Sequence, residues 1–144
     1  MKRVEQLQGL SREHHGSLVM VKKISEVAEH GNKEELLEAI KTVQHYYDNE
    51  LEVHFQHEER TIFAPIFQHY KDNIGIASVL LKEHGAIRML VPRITLDTAA
   101  ADLAEFALVL KNHTRMEERE LFPLVEELFN DEQLEAVLNF VPLD

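Results

Sequence analysis

Two segments of this chain carry the same pattern of metal-ligand and apolar residues. Residues 54–63 read HFQHEERTIF, and residues 113–122 read HTRMEERELF. Each segment places a histidine four residues before a glutamate, and a phenylalanine follows at the same offset. Residues four positions apart lie on one face of an α-helix, about 6 Å from each other. Each segment can therefore present an imidazole nitrogen and a carboxylate oxygen side by side, and two facing segments would form a dinuclear metal site.

The composition narrows the kinds of site and partner. A chain of 144 residues is long enough for one domain with one core, and we assign residues 1–144 to a single metal-binding domain. The absence of cysteine excludes disulfides, iron–sulfur clusters and thiolate zinc sites. A formal net charge of −11 argues against nucleic acid or an anionic membrane as the partner. Nine histidines are an enrichment in a common metal ligand.

No segment has the character of a targeting or membrane-spanning sequence. Two positive charges near the N-terminus are not followed by the apolar run of a signal peptide. No apolar stretch approaches the roughly 20 residues of a membrane span. We therefore expect a soluble, cytoplasmic protein.

Apolar residues recur at spacings of three and four, and the chain has only five glycines and four prolines. Both features favour an all-α fold. We predict an up-down four-helix bundle with a short C-terminal helix. The expected helices run from an N-cap at Ser11 to Gly31-Asn32, from Lys33 to Ala64 before Pro65, from after Asp72-Asn73 to Pro92, from Thr98 or Ala99 through the second segment to a disturbance at Pro123, and over 131–139.

The internal repeat extends beyond the two segments. Glu13-His14 in the first helix has a counterpart in Glu83-His84 in the third, although His15 has no clear partner. At 100° per residue, a histidine falls on the apolar stripe of every long helix, and a glutamate does so on two of them. A buried carboxylate without a partner costs several kcal/mol, and two would also repel each other. Cations at the centre would remove both problems.

The predicted metal ligands come equally from the two halves of the repeat: His14, His54 and Glu58 from the first, and His84, His113 and Glu117 from the second. A plausible arrangement gives two imidazoles to each ion, with both carboxylates bridging and a water, hydroxide or oxide as a third bridge. Imidazole with carboxylate suits iron best, then manganese, and zinc is compatible. Each of the two ions would keep an open position for O2, NO or peroxide.

These residues resemble the hemerythrin-like, or His-His-Glu cation-binding, domain family over about Leu10 to Phe129. The resemblance implies a four-helix bundle around a non-haem di-iron centre, with terminal histidines and bridging carboxylates. Oxygen-carrying hemerythrins have a second histidine one turn after the ligand on the third helix, where this chain has Arg88. Their last carboxylate follows its histidine by five residues, whereas Glu117 follows His113 by four. The pattern is closer to members implied in iron or oxygen sensing, or in the repair of iron centres.

Several further residues have weaker assignments. His57 could support or replace a ligand, and His15 is expected to be exposed but could replace His14. Tyr47 is predicted on the same stripe as His54, where it is either core or part of the ligand pocket. We expect surface ion pairs for three charged residues, of which either glutamate could instead orient a histidine: Glu59, Glu118 and Arg119. We interpret the remaining histidines as exposed: His30, His45 and His69.

Three functions are compatible with this pattern. The favoured one is a di-iron protein that binds or senses O2, NO or iron itself. The alternative is a di-iron enzyme that handles peroxide, O2 or NO, in detoxification or iron-centre repair. The third is a structural or protein-interaction bundle without metal. No general acid or base beyond the ligands is evident, so we favour binding over turnover, with a small diatomic or peroxide ligand and no assigned protein partner.

Overall fold

Five helices make up most of residues 3–142, the part of the chain that this computed structural model describes. Three of them are regular: α1 (Glu5–His30), α3 (Ile74–Arg93) and α5 (Asp131–Leu138). The other two alternate between α-helix and π-helical turns. Helix α2 comprises Lys33–Tyr46, Tyr47–Leu51 (π), Glu52–Glu58, Glu59–Phe63 (π) and Ala64–His69, and α4 comprises Ala99–Met116, Glu117–Leu121 (π) and Phe122–Leu128. The all-helical prediction is confirmed, since 3–142 contains no strand.

Local capping signals explain where α2 and α5 begin. Asn32 caps α2 by accepting a hydrogen bond from the Glu35 backbone N–H, and the Glu35 carboxylate accepts one from the Asn32 N–H. Asn130 and Gln133 form the same capping box before α5. Each box satisfies N–H groups that a helix N-terminus leaves without intrahelical partners.

The predicted start of α1 at Ser11 is wrong, because the helix begins at Glu5. Glu126 of α4 accepts a hydrogen bond from the Val4 N–H at 2.8 Å and so satisfies a group near the helix start. The Ser11 hydroxyl does not cap the helix and instead donates to Glu118 at 2.9 Å. A tertiary contact therefore overrides the local preference of serine for an N-cap.

The predicted stop of the second helix before Pro65 is also wrong, since α2 continues to His69. Pro65 stands at the start of the last α-helical part of α2, directly after the π turn Glu59–Phe63. Pro123 follows the π turn Glu117–Leu121 in the same way. Proline cannot donate a backbone hydrogen bond and clashes with the preceding turn. A π turn is wider and shifts the hydrogen-bond register, which lets the helix pass the proline.

Two apolar clusters lie on either side of a polar layer. The first joins the C-terminal halves of α1 and α3 to the N-terminal halves of α2 and α4, with Phe55 and Phe106 among its largest members. The second contains Phe63 and Phe122 and includes residues of α5. Helix α1 contacts α2, α4 and α5, and α3 contacts α2 and α4. The clusters thus enclose the middle of the four long helices, where the predicted ligands lie.

No helix within residues 3–142 combines the length and the apolar character that crossing a membrane would require.

Candidate metal centre

All six side chains that the sequence singled out as ligands meet in the polar layer. Helix α1 supplies His14, α3 supplies His84, and α2 and α4 each supply a histidine and a glutamate one turn apart. The four histidines are at most 6 % exposed, and both glutamates are fully buried. They form two groups of four residues that share the glutamates: His14, His54, Glu58 and Glu117, and Glu58, His84, His113 and Glu117. Within each group the candidate ligand atoms lie within 4.8 Å of one another, so each group could hold one cation.

Glu58 lies between the two groups. Its Oε2 is 3.3 Å from Nε2 of His14 and 3.2 Å from Nε2 of His54, and its Oε1 is 3.2 Å from Nε2 of His84. Each oxygen of this carboxylate therefore faces a different group.

Glu117 also spans both groups, but through a single oxygen. Its Oε1 lies 2.8 Å from Nε2 of His14 and 3.3 Å from Nε2 of His113. The two carboxylates are thus placed between two cation positions, as bridging ligands would be.

Each inner histidine forms a hydrogen bond through Nδ1 with a glutamate on a neighbouring helix. The pairs are His14 with Glu118 at 2.6 Å, His54 with Glu13 at 2.6 Å, His84 with Glu59 at 2.7 Å, and His113 with Glu83 at 2.9 Å. Because a carboxylate only accepts, the proton lies on Nδ1 in each pair. A neutral imidazole then directs the lone pair of Nε2 toward the centre, as a metal ligand must.

The four outer pairs form a closed ring around the centre. Helix α1 gives a glutamate to the histidine of α2, α2 gives one to α3, α3 gives one to α4, and α4 gives one back to α1. Every long helix is therefore connected to both of its neighbours in the ring through the histidines. This arrangement fixes the orientation of all four rings and repeats the two-fold relationship present in the sequence.

The inner atoms lack the hydrogen bonds that burial normally requires. With the imidazole protons on Nδ1, Oε1 of Glu58 and both carboxylate oxygens of Glu117 are buried and receive no hydrogen bond. Oε1 of Glu117 can accept one from His14 or His113 only when Nε2 of that histidine is protonated as well. The Nε2 atoms of His84 and His113 face each other at 3.1 Å. Two nitrogens bound at right angles to one ion, each about 2.1 Å from it, would be about 3.0 Å apart. The donor set and the unsatisfied oxygens therefore fit a pair of cations.

The inner glutamates shift the pKa values of the histidines that surround them. Burial lowers the pKa of His54, but the charge of Glu58 and the hydrogen bond with Glu13 outweigh it and raise this pKa to about 9. Burial likewise opposes protonation of His113, yet the charge and hydrogen bond of Glu117 raise its pKa to about 10. Burial raises the pKa of Glu58, whereas the neighbouring histidines hold it well below its usual range. The inner glutamates thus create a strong preference for positive charge.

Comparison with known families agrees with this geometry. The hemerythrin family, described as the hemerythrin HHE cation binding domain, matches residues 6–125. The chain belongs to this family. Searches of curated proteins and of solved structures gave no match. The matched range of this hemerythrin-family chain contains all six inner residues and all four outer glutamates.

Aromatic rings hold two of the inner histidines on their faces. Phe55 stacks on His84 with ring centroids 3.9 Å apart, and Phe122 stacks on His14 at 5.1 Å. Phe63, the counterpart of Phe122 in the repeat, also contacts His84, with ring centroids 5.4 Å apart. These rings pack the site on its apolar sides and limit rotation of the imidazoles.

The four outer glutamates have roles that the sequence indicated only in part. Glu59 forms an ion pair with Arg88, and Glu118 forms one with Arg3. Each glutamate also accepts a hydrogen bond from an inner histidine, which is the orienting role given as the alternative. Glu13 and Glu83 had no assigned role, although each directly precedes an inner histidine in the repeated Glu-His pair. The repeat of that pair indicates that the two glutamates share a role, but it does not indicate which residues they contact. Arg119 is exposed.

The remaining histidines and the two tyrosines before His54 lie outside the group of six inner residues. His57 points away from the centre, donates from Nε2 to the Val137 carbonyl at 2.7 Å, and stacks on Phe140. It connects α2 to α5 and is not among the six clustered side chains. Tyr47 is directed to Glu52 at 2.5 Å, whereas Tyr46 is buried. The histidines expected on the surface are exposed, namely His15, His30, His45 and His69.

Proposed function

We propose that this protein binds two iron ions at the six inner residues and that the resulting centre binds or senses a small molecule such as O2, NO or peroxide. The observation that carries the proposal is the set of unsatisfied buried oxygens on Glu58 and Glu117, surrounded by imidazoles whose Nε2 lone pairs point inward. A buried carboxylate without a partner is unfavourable, and cations satisfy the oxygens and the nitrogens together.

The donor set favours iron among the metals that the family could take. Each cation position has two imidazoles and two carboxylates. This set matches the preference of non-haem iron for histidine with carboxylate, and it leaves coordination positions of the ion open for a further ligand. Manganese and zinc are the runners-up for the same donors. When bound, two irons would supply one-electron redox chemistry and open coordination positions for a small ligand.

The protein residues have three tasks in this proposal. His14, His54, His84 and His113 hold the ions from outside, and Glu58 and Glu117 hold them from between. The outer glutamates keep the Nδ1 protons in place, and the apolar clusters exclude water from the inner layer. We further propose that α1 to α4 run alternately up and down, since each apolar cluster combines opposite ends of successive helices.

Metal analysis of a double variant tests the ligand assignment. Anaerobic loading with Fe²⁺ should give two ions per chain, and titration with O2 or NO should change the absorption spectrum. Replacing Glu58→Gln and Glu117→Gln together removes both negative charges between the positions, so the metal content should fall well below two per chain. Unchanged stoichiometry in that double variant, with the fold retained by circular dichroism, would refute the bridging role.

A further inference from the structure

A pocket of about 520 Å³ opens between α1 and α2 on one side of the centre. Its α1 wall includes Gly16 and Ser17, and its α2 wall includes Tyr46. The inner ligand His54 and its outer partner Glu13 also line it. The pocket therefore reaches the outer face of the group formed by His14 and His54.

The wall between this pocket and the centre is the most accessible part of the outer ring. The Glu13 side chain is 55 % exposed, whereas the other three outer glutamates are 23–29 % exposed. His54 is the most exposed inner histidine at 6 %. A hydrogen bond between a half-exposed carboxylate and an imidazole can open with little loss of packing, because water replaces the carboxylate's partner at low cost.

The opposite group is closed by an arginine. Arg88 forms hydrogen bonds with both oxygens of Glu52 and both oxygens of Glu59, over 2.7–3.2 Å. Glu59 in turn accepts from His84, which is fully buried and stacked on Phe55. The Arg88 guanidinium also lies 5.6 Å from the centre of the Phe55 ring. Opening this side requires several charge-assisted hydrogen bonds to break together.

The internal repeat shows that the difference is a property of this sequence and not of the architecture. Arg88 lies four residues after His84 on α3, and the residue at the same helical offset from His14 on α1 is Leu18. A leucine cannot form the hydrogen bonds that Arg88 makes. The two otherwise matching halves thus differ at the residue that closes one of them.

We propose that the pocket is the route by which a cation reaches and leaves the His14/His54 position, and that the His84/His113 position exchanges its cation slowly behind Arg88. This inference rests on the proposed two-metal function. The two ions would then have unequal lifetimes although their donor sets are the same.

Metal release to a chromogenic chelator tests the inference without any activity assay. The folded full chain is loaded with two Zn²⁺ ions, which avoid oxidation, and mixed with the chelator. Release should occur in two phases of one ion each. Gly16→Phe adds a ring to the lining of the pocket, at a position where an added Cβ atom has no neighbour within 4 Å, and should slow the fast phase about tenfold.

Two further variants assign each release phase to one of the two cation positions. Gly85→Phe is the matched control, since Gly85 also has open space around it and does not line the pocket. It should leave the fast phase unchanged. Arg88→Leu copies the residue of the other half and should accelerate only the slow phase, by about tenfold or more if charge-assisted hydrogen bonds are lost. Circular dichroism confirms that each variant is folded.

The outcomes separate the two proposals. A chain that never takes up two ions refutes the proposed function and this inference with it. A chain that takes up two ions and releases them in a single phase overturns the inference alone. Equal effects of Gly16→Phe and Gly85→Phe would likewise overturn the assignment of the pocket as the route.

Discussion

The outer ring predicts that metal affinity can be lowered at one position without touching a ligand. Glu83 accepts a hydrogen bond from Nδ1 of His113 at 2.9 Å, and its side chain is 29 % exposed. Glu83→Gln keeps an acceptor oxygen but removes the negative charge that strengthens the imidazole as a ligand. Glu83→Ala removes the acceptor as well. The two substitutions therefore separate the contribution of charge from that of the hydrogen bond.

The magnitude follows from the strengths of the two kinds of hydrogen bond. A hydrogen bond to a charged group contributes about 1.5–3 kcal/mol, and one between neutral groups contributes about 0.5–1.5 kcal/mol. Glu83→Gln should therefore cost about 1–1.5 kcal/mol, or roughly tenfold in the dissociation constant of one ion. Glu83→Ala should cost about 1.5–3 kcal/mol, or roughly tenfold to 150-fold.

Competition titration with a chromogenic chelator measures both dissociation constants. Only the ion at the His84/His113 position should weaken, because Glu83 contacts no other inner histidine. Glu120→Gln is the charge-matched control. Glu120 is an exposed glutamate in the same π turn of α4 as Glu117. Equal weakening of both ions, or the same loss in Glu120→Gln, would refute the idea that the outer glutamates act through individual histidines.

Three other measurements test the fold and its electrostatics. In the metal-free protein, the pKa values of His54 and His113 are raised to about 9 and about 10. Protonation of these histidines therefore stabilises the folded state in full below pH ~6.5, and this stabilisation is lost as the pH rises toward the raised pKa values. The free energy of unfolding should fall by about 1.4 kcal/mol per pH unit per histidine between about pH 7 and 9, and metal loading should abolish that slope; denaturant titrations that show the same slope in both forms would contradict the assignment. Asn32→Ala removes the capping-box acceptor of α2 and should lower the free energy of unfolding by about 1 kcal/mol, whereas Asn32→Ser should retain most of it. Phe55→Ala removes a fully buried ring that stacks on His84 and should cost about 3–5 kcal/mol in the same assay; a loss below 1 kcal/mol would show that the core relaxes around it.

The clustering of the six inner residues was predictable because the sequence signals for it are local. A histidine and a glutamate four residues apart share a helix face whatever the rest of the chain does. Apolar residues around them show that this face is buried. The repeat then supplies the second half of the site. The structure brings His54 and Glu58 within 3.2 Å of each other and His113 and Glu117 within 3.3 Å, as that reasoning requires.

The outer ring and the start of α1 depend on contacts between distant segments, which spacing alone cannot reveal. Ser11 reads as an N-cap, yet its hydroxyl donates to Glu118, a residue on another helix. Glu13 and Glu83 look like solvated surface charges until the register between neighbouring helices is known. The axial register of two neighbouring helices depends on core packing along their whole length. It cannot be derived from the spacing of residues in one sequence.

Tyr47 packs against the first apolar cluster with its hydroxyl on Glu52, which agrees with the core interpretation, but the more deeply buried tyrosine is Tyr46. A π turn explains the difference. Tyr47 lies seven residues before His54, which is two turns of a regular α-helix. The π turn Tyr47–Leu51 lies between them and adds about one residue to the count, a rotation of about 100°. Tyr46, eight residues before His54, therefore takes the inward position, where its hydroxyl shares a 2.7 Å hydrogen bond with Ser17.

The same effect operates after each inner glutamate. A π turn begins at Glu59, directly after Glu58, and another begins at Glu117 itself. Each π turn rotates the residues that follow it relative to the histidine–glutamate pair, so the phenylalanines at the ends of both repeated segments pack in the second apolar cluster. The α-helical period therefore predicts correctly which residues share a face within each histidine–glutamate pair. It predicts the wrong face for residues that lie beyond a π turn. Since π turns flank functional sites more often than other parts of helices, phase errors in sequence reasoning concentrate at the edges of the site.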